Sequence, residues 1–363
     1  MLMRLYLNSV CILTKIALVK DVGSSTAAVD PMEYMVKEDF MGHDGKIYQM
    51  RMTHDKKYMA TVGQDEFAII WDTASGHKTD AIQLENGFVL SLGLSPSGKL
   101  LGTGGLKNVS EVFRVNGANS EIFETEEEYD EDDEFDDDTA STPPIRFRTR
   151  VPAASFKGHR GFVTEMVFLT EDRVITGSGD STSGLWDVET STCIRLFSKS
   201  EHKGGINTVT RHPFDNNLFA TGSADGIVKV WDVRDRHSKF TFFGHKADVQ
   251  CAQFFPDGNA IGSSAEDGTI RIFDLRSDCQ VGIHQSDDIP SPVTSICFST
   301  SGRTMLIGYE DGSCGSMDIL RGTWVNHLVG HTDVVSSICI SDRYGLIFTS
   351  SWDGTLRAWN ATM

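Results

Sequence analysis

Cysteine is scarce in this chain and forms no pattern. The seven thiols (Cys11, Cys193, Cys251, Cys279, Cys297, Cys314, Cys339) are an odd number in 363 residues and include no C-x-x-C pair. That spacing supports neither a disulfide framework nor a zinc site. The thiols read as buried, reduced groups packed as small apolar side chains, in a reducing compartment, cytosol or nucleus. Long apolar runs are missing too. Within residues 1–20 none is longer than the four residues of Val10–Leu13, with Arg4, Lys15 and Lys20 breaking the rest, which is too short to span a membrane. Net positive charge is also lacking: 33 basic residues face 51 acidic ones, a formal −18. Binding to phosphate backbones needs a basic face, so a nucleic-acid partner is disfavoured. The imbalance is local. Glu121 to Asp138 holds 13 acids and no base, leaving −18 + 13 = −5 for everything else.

What the chain does have is a repeat. Six Asp–x5–Trp/Phe/Met steps recur, at Asp65–Trp71, Asp180–Trp186, Asp225–Trp231, Asp267–Phe273, Asp311–Met317 and Asp353–Trp359, and a degenerate seventh ends at Phe113. The gaps between their ends are 42, 73, 45, 42, 44 and 42 residues, so only the second is inflated. A unit of this length that closes on Trp-Asp and often opens on Gly-His is the mark of a propeller blade. Inside each unit short apolar runs alternate with turn signals, as in Phe162–Phe168, Val174–Gly177 and Ser183–Val188. No helical periodicity is sustained after residue 40. The expected fold is all-β, a seven-bladed WD-repeat β-propeller over residues 35–363. Its outer closing strand is expected near Met35–Met41, beside the last strand, because the chain runs only three residues past Asn360.

Two segments stand outside the repeat. Residues 1–34 read as a poorly ordered N-terminal extension or a misassigned gene start. The inflated gap, residues 119–150, reads as a disordered acidic insert between blades two and three. Like charges repel there, and Pro143-Pro144 cannot extend a ladder; a docking tail is the functional alternative.

The repeats carry a recurring His, hydroxyl, Asp and Trp. The sets are His43, Thr61, Asp65 and Trp71; His159, Thr176, Asp180 and Trp186; His202, Thr221, Asp225 and Trp231. Two more are His245, Ser263, Asp267 and Phe273, and His331, Thr349, Asp353 and Trp359. Asp, His and Ser/Thr together invite a catalytic-triad reading. Recurrence at one place in a structural unit argues instead for a local role, in which buried polar groups satisfy one another. Blade two has Lys107 in place of the Asp, and blade six has Ile307 in place of the hydroxyl, so these blades are expected to be softer. Gly102-Thr-Gly-Gly105 lacks the Lys-Ser/Thr of a phosphate loop. No catalytic, metal or cofactor constellation stands outside the repeats, and none is expected.

Certain residues say more than propeller. Gly42-His-Asp-Gly-Lys-Ile-Tyr48, Phe88-Val-Leu-Ser91, Gly104-Gly-Leu-Lys-Asn108, Phe254-Phe-Pro-Asp-Gly-Asn-Ala260, Ile272-Phe-Asp-Leu-Arg276 and Ser351-Trp-Asp-Gly-Thr-Leu-Arg-Ala-Trp-Asn360 follow one another at blade-specific positions. In these the chain resembles the β subunit of heterotrimeric G proteins, nearly throughout 42–360 outside the acidic insert. The resemblance implies a non-catalytic signalling subunit that transduces receptor signals. It would hold the GDP-bound α subunit, and effectors after release, on one propeller face. A γ subunit is implied as well, although the heptad helix that pairs with it in the family is not visible in residues 1–40. The positions matching the family's α and effector contacts are Lys46, Tyr48, Lys78, Phe88, Leu90, Leu106, Asn108, Phe162, Asp248 and Trp352, with Phe88 and Phe162 where Trp and Tyr are usual. The implied location is cytoplasmic, at the inner face of the plasma membrane through partners rather than by insertion. The rival readings are a generic WD-repeat scaffold, for instance a ubiquitin-ligase adaptor, and an enzyme.

Overall fold

Each repeat supplies antiparallel strands of four to seven residues, and both faces of the inner ones are buried. In blade three, strands a to d are Val163–Phe168, Arg173–Ser178, Ser183–Asp187 and Thr192–Phe197. β-Branched and apolar residues fill them, and each is bounded by a turn, the pattern that suits a half- or fully buried pleated strand. The computed structural model describes residues 36–85, 88–115, 122–123, 148–197, 201–285 and 291–360. Among these every regular element is a β-strand, and the strands form seven sheets. The first strands of successive sheets are neighbours around a ring, and the first blade's touches the seventh's. The fold is a seven-bladed β-propeller.

The core lies between blades. Ile272, Val293, Ile296, Phe298 and Met305 join blades five and six, and Phe40, Trp71 and Phe348 join seven and one. Each such side chain contributes about 1.5–3 kcal/mol when fully buried. Close approach needs small residues on the facing strand: a Cβ on Gly262 would lie 2.5 Å from the Phe298 ring.

The inner strands are also hydrogen-bonded sideways. The Met50 amide donates to Ser337 Oγ (3.2 Å), Val209 to Glu165 Oε2 (2.7 Å), Ala252 to Thr208 Oγ1 (3.3 Å) and Phe298 to Gln253 Oε1 (3.2 Å). The Leu92 amide donates to Gln49 Oε1 in the same way, and Arg51 of blade one pairs with Glu165 of blade three. Closure is completed by Val36–Phe40, which lies antiparallel to Leu356–Asn360 as the outer strand of blade seven. Phe40 sets its ring edge-on to Trp71, with centroids 5.8 Å apart.

The insert departs from expectation in two ways. It interrupts blade two rather than separating two blades, because the outer strand Ala154–Lys157 pairs with Val109–Arg114. Trp-Asp marks the end of a third strand, and the fourth comes only after the insert. Its ends are also ordered. Arg148–Arg150 adds in parallel to blade one's outer strand Lys78–Gln83, and Ile122–Phe123 pairs with it in turn, so that sheet has six strands. Buried Arg150 donates to Arg114 O (2.8 Å) and pairs with Asp80. The added ribbon covers a strand edge that would otherwise be unpaired. Residues 1–34 and the acidic run beyond Phe123 lie outside the described residues. Burial of the thiols is mixed: Cys297 and Cys314 are buried and pushed up to about 12 by desolvation, whereas Cys193 is exposed.

The recurring polar sets form hydrogen-bonded chains. In blade one the Trp71 indole N–H donates to Thr61 Oγ1 (2.9 Å), the Thr61 hydroxyl to His43 Nε2 (2.7 Å), and His43 Nδ1–H to Asp65 (2.9 Å). A single tautomer satisfies every group. Blades three, four and seven repeat it, with His–Asp distances of 3.2, 3.0 and 2.9 Å. In blade five His245 meets Ser263 at 2.7 Å, Nδ1 stands 3.5 Å from Asp267, and Phe273 has no N–H to give. Each Asp also accepts a backbone amide just after the His, as from Arg160 (2.8 Å) and Lys203 (2.9 Å). Burial opposes the charge on Asp225, but donors from His202 and Lys203 outweigh it and bring the carboxyl down to about 2. Asp180 and Asp353 are held low in the same way, by His159 and His331. Blade two has no such chain: the buried Thr103 and Ser91 hydroxyls have no partner among the described residues, and Lys107 donates to Glu85 O. Blade six substitutes apolar packing of Ile307 and Met317, with the Trp324 ring laid on Gly315.

One backbone feature accompanies the chains. The residue after the Asp position has positive φ in all seven blades: Glu66 64°, Asn108 61°, Ser181 67°, then Gly226, Gly268, Gly312 and Gly354 at 72–86°. A side chain there is strained.

Three outcomes follow. Asp180→Ala should lower stability by about 2–4 kcal/mol, since it strands a buried His and two amides, and Lys107→Ala should cost well under half that; urea midpoints compare the two. Glu66→Gly should raise stability by roughly 0.5–1 kcal/mol by removing left-handed strain, read from the same melts. The depressed carboxylates release protons on folding, so their contribution is complete above the unfolded value of about 3.9 and is lost as pH falls towards 2. Asp225→Asn should therefore be weaker at pH 7 yet show a shallower loss between pH ~4 and ~2 in acid titrations.

Candidate protein-interaction face

Strand a leaves one end of the propeller and strand b returns to it, so strand-a starts and b–c turns share a face. The starts contribute Lys46 and Tyr48 in blade one, Phe88 and Leu90 in blade two, Phe162 in blade three and Asp248 in blade five. The b–c turns contribute Leu106 and Asn108 in blade two and Trp352 in blade seven. Lys78 is not among them. It opens blade one's outer strand and folds over the Trp71 ring (5.5 Å), with its ammonium 3.5 Å from Gly42 O.

Three of these residues touch. The Lys46 ammonium stands 4.0 Å from the Trp352 ring centroid, and Tyr48 meets the same ring edge-on at 6.2 Å and 82°. An ammonium over an indole face is attracted by the ring quadrupole. Trp352 is thus half-buried rather than a bare loop tip, and its amide donates to Val334 O (2.9 Å). Burial also raises the Tyr48 phenol above its usual value.

Blades two and three present bare apolar side chains. Phe88, Leu106 and Phe162 are 44%, 50% and 43% exposed. Phe88 holds φ at 57°, an outlier for a bulky residue. Gly105 makes this possible, since a Cβ there would lie 2.2 Å from Phe88 O. Leu106 N donates to that same carbonyl at 3.4 Å, and Asn108 turns the chain at φ 61°. The Phe162 ring lies on Gly179, where any Cβ would meet it at 2.7 Å. Leu90 and Asp248 are half-buried, and Asp248 O accepts the Glu266 amide (3.0 Å).

Sequence reasoning missed two features of this end. Met41, Phe243 and Val329 each precede a Gly-His and are 70%, 68% and 84% exposed. The residue after the His also divides the face by charge: Arg160, Lys203 and Lys246 are exposed there on blades three to five. Both signals were repeat positions, readable once the blades are aligned. Among the described residues no cluster of His, Cys, Asp and Glu could hold a metal, and no helix is long and apolar enough to cross a membrane.

The comparisons with known proteins agree with the ring. Residues 35–72 and 150–187 match the WD domain, G-beta repeat family, and residues 188–359 match the Nucleolar protein 10-like, N-terminal domain. The chain is 32% identical to the guanine nucleotide-binding protein subunit beta-1 of Nicotiana tabacum, over 93% of this chain and 86% of that one. It is 31% identical to the subunit beta of Zea mays, over 94% and 87%, and 31% identical to that of Arabidopsis thaliana, over 88% and 81%. With likeness at this level across almost all of both chains, the protein belongs to the family of guanine nucleotide-binding protein β subunits, as a WD-repeat propeller scaffold.

Proposed function

We propose that this propeller is the β subunit of a heterotrimeric G protein, holding a GDP-bound α subunit on the face that carries Trp352 and engaging effectors there after release. It acts without catalysis, passing on a receptor's signal by which partner occupies that face, at the inner side of the plasma membrane through its partners. A γ subunit is part of the proposal; residues 1–35, where a pairing helix would stand, lie outside the described residues. The observation that carries the reading is the Lys46–Tyr48–Trp352 contact. It sets an aromatic anchor, held on two sides, at the seam of blades seven and one. Pre-positioned aromatic anchors are what binding hot spots are made of.

Capture of an α subunit loaded with GDP, or with a non-hydrolysable GTP analogue, tests this. Wild type should prefer the GDP form. Trp352→Ala, or Tyr48→Ala with Leu106→Ala, should lose about 2–4 kcal/mol of binding, roughly 30- to 1000-fold, with circular dichroism unchanged. Absence of a nucleotide preference, or full binding by the Trp352 variant, would return the face to a generic scaffold.

A further inference from the structure

The outer wall of the ring carries a glycine that the chain itself does not account for. Gly282 stands in the middle of Cys279–Gln285, the outermost strand of blade five. Its φ lies outside the left-handed region. A Cβ there would meet only ordinary contacts, His284 Nε2 at 3.5 Å and Ile272 at 3.6 Å. Glycine weakens a strand interior and often marks a place where a ligand or another backbone comes close. The space it leaves opens into a groove of about 420 Å³ between blades five and six, whose lining includes Ile272, Val281, His284, Ile319 and Arg321. Burial lowers the pKa of His284 and keeps its ring neutral. Neither that ring nor the Arg321 guanidinium has a hydrogen-bond or ion-pair partner among the described residues. The neighbouring charges are engaged: Arg271 with Gln280, Arg276 with Asp274, and Arg303 with Asp318. Asp278 is exposed but is not part of the groove, and residues 286–290, which follow the strand, lie outside the described residues.

The edge beside this groove is free and poorly defended. Among the described residues Cys279–Gln285 is the longest outer strand, pairs on one side only, and contains no proline, acid, lysine or arginine. The outer strands of blades two, three and four carry Lys157, Arg195 and Lys239, charges that discourage an added strand. Blade one's outer strand has already accepted one, Arg148–Arg150. Blade six, whose outer strand Thr323–Leu328 is likewise uncharged, covers its own glycine: a Cβ on Gly315 would lie 3.0 Å from the Trp324 ring. An aromatic ring laid over a glycine of the neighbouring strand stabilises a sheet. In blade five the glycine is on the last strand, so such a ring has to come from another chain. We propose that Cys279–Gln285 is a docking edge for an extended segment of a partner protein, which adds as a fifth strand to blade five, lays an aromatic side chain over Gly282 and sets an acidic one against Arg321. In this mode of recognition main-chain hydrogen bonds give affinity, and spaces beside alternate side chains give selectivity. The aromatic and the acid fall an even number of residues apart, because only alternate residues of a strand face the groove. The acid is specified by charge, since Arg321 is the only charged residue among those that line the groove. The edge lies on the outer wall, away from the face that carries Trp352, and the inference does not rest on the preceding reading.

Short fluorescein-labelled peptides of Thr and Val, with Trp at the centre and Glu two residues to either side, test it by anisotropy with the full chain. Replacing the peptide's Trp by Ala should weaken binding about tenfold. Replacing its Glu by Lys should weaken it by a factor of about three, a preference that Arg321→Glu should reverse. N-methylation of alternate peptide amides should abolish binding in one of the two registers, where it removes ladder donors, and leave it intact in the other. Gly282→Val fills the floor of the groove with a residue that suits a strand. It should cost about tenfold in binding with no fall in melting temperature. Failure of wild type to bind, equal binding of the Trp and Ala peptides, full binding by the Gly282 variant, or indifference to N-methylation in both registers would overturn the proposal. So would a dimer of the chain that Gly282→Val abolishes, which would give the edge to a second copy. No α subunit or nucleotide enters the assay, so its outcome is separate from that of nucleotide-dependent capture.

Discussion

A propeller has no central core, so everything depends on how one blade is held to the next. Here the link is a side chain on one inner strand taking the backbone amide of its neighbour: Ser337 to Met50, Glu165 to Val209, Thr208 to Ala252. A ladder amide pointing at the adjacent blade would otherwise be an unsatisfied donor in a dry seam, a cost of about 1–3 kcal/mol. Apolar packing supplies most of the adhesion between blades, but it is not directional. The lateral hydrogen bonds add direction, and they set the angle at which the ring meets itself.

The same economy ties the interior to the surface. In blades one, three, four, five and seven the b–c turn carries a largely buried carboxylate, and the face residues of these turns sit beside that position: Trp352 precedes Asp353, and in blade two Asn108 follows the Lys107 that stands in its place. The His331–Asp353 bond at 2.9 Å therefore fixes a turn whose next outward residue is the anchor of the face. Blade two has no such bond, yet its turn bears Leu106 and Asn108. There the position is set by Gly105 and by the Leu106 amide on Phe88 O. Two blades thus reach rigid presentation by different means, one polar and one steric.

Much of this was legible in the residues. The period was visible because every repeat must end its third strand in the same turn, and the five polar sets because each needs the same four chemistries at the same spacing. What escaped was set by distance. The insert was assigned to the space between blades because Trp-Asp looks like an ending, although a fourth strand, Ala154–Lys157, had still to come. The added strands Ile122–Phe123 and Arg148–Arg150 are too short to announce themselves, two and three residues, and the second is polar throughout; a partner edge on blade one defines them. The contacts that hold Trp352 were hidden as well, because Lys46 and Tyr48, which cover it, lie some 300 residues earlier. The division of charge on the face needed only the blades superposed.

The closing strand has a consequence in time. Val36–Phe40 pairs with Leu356–Asn360, so blade seven cannot be completed until residue 360 has been made. At ordinary translation rates the early strand waits on the order of tens of seconds. Through that interval Phe40 lacks Phe348, its later neighbour at 6.1 Å, and the first blade has no seventh to lean on. A contact joining the two ends of a domain is among the slowest to form. The period of greatest exposure for this molecule is therefore set by the clock of its own synthesis, however stable the closed ring becomes.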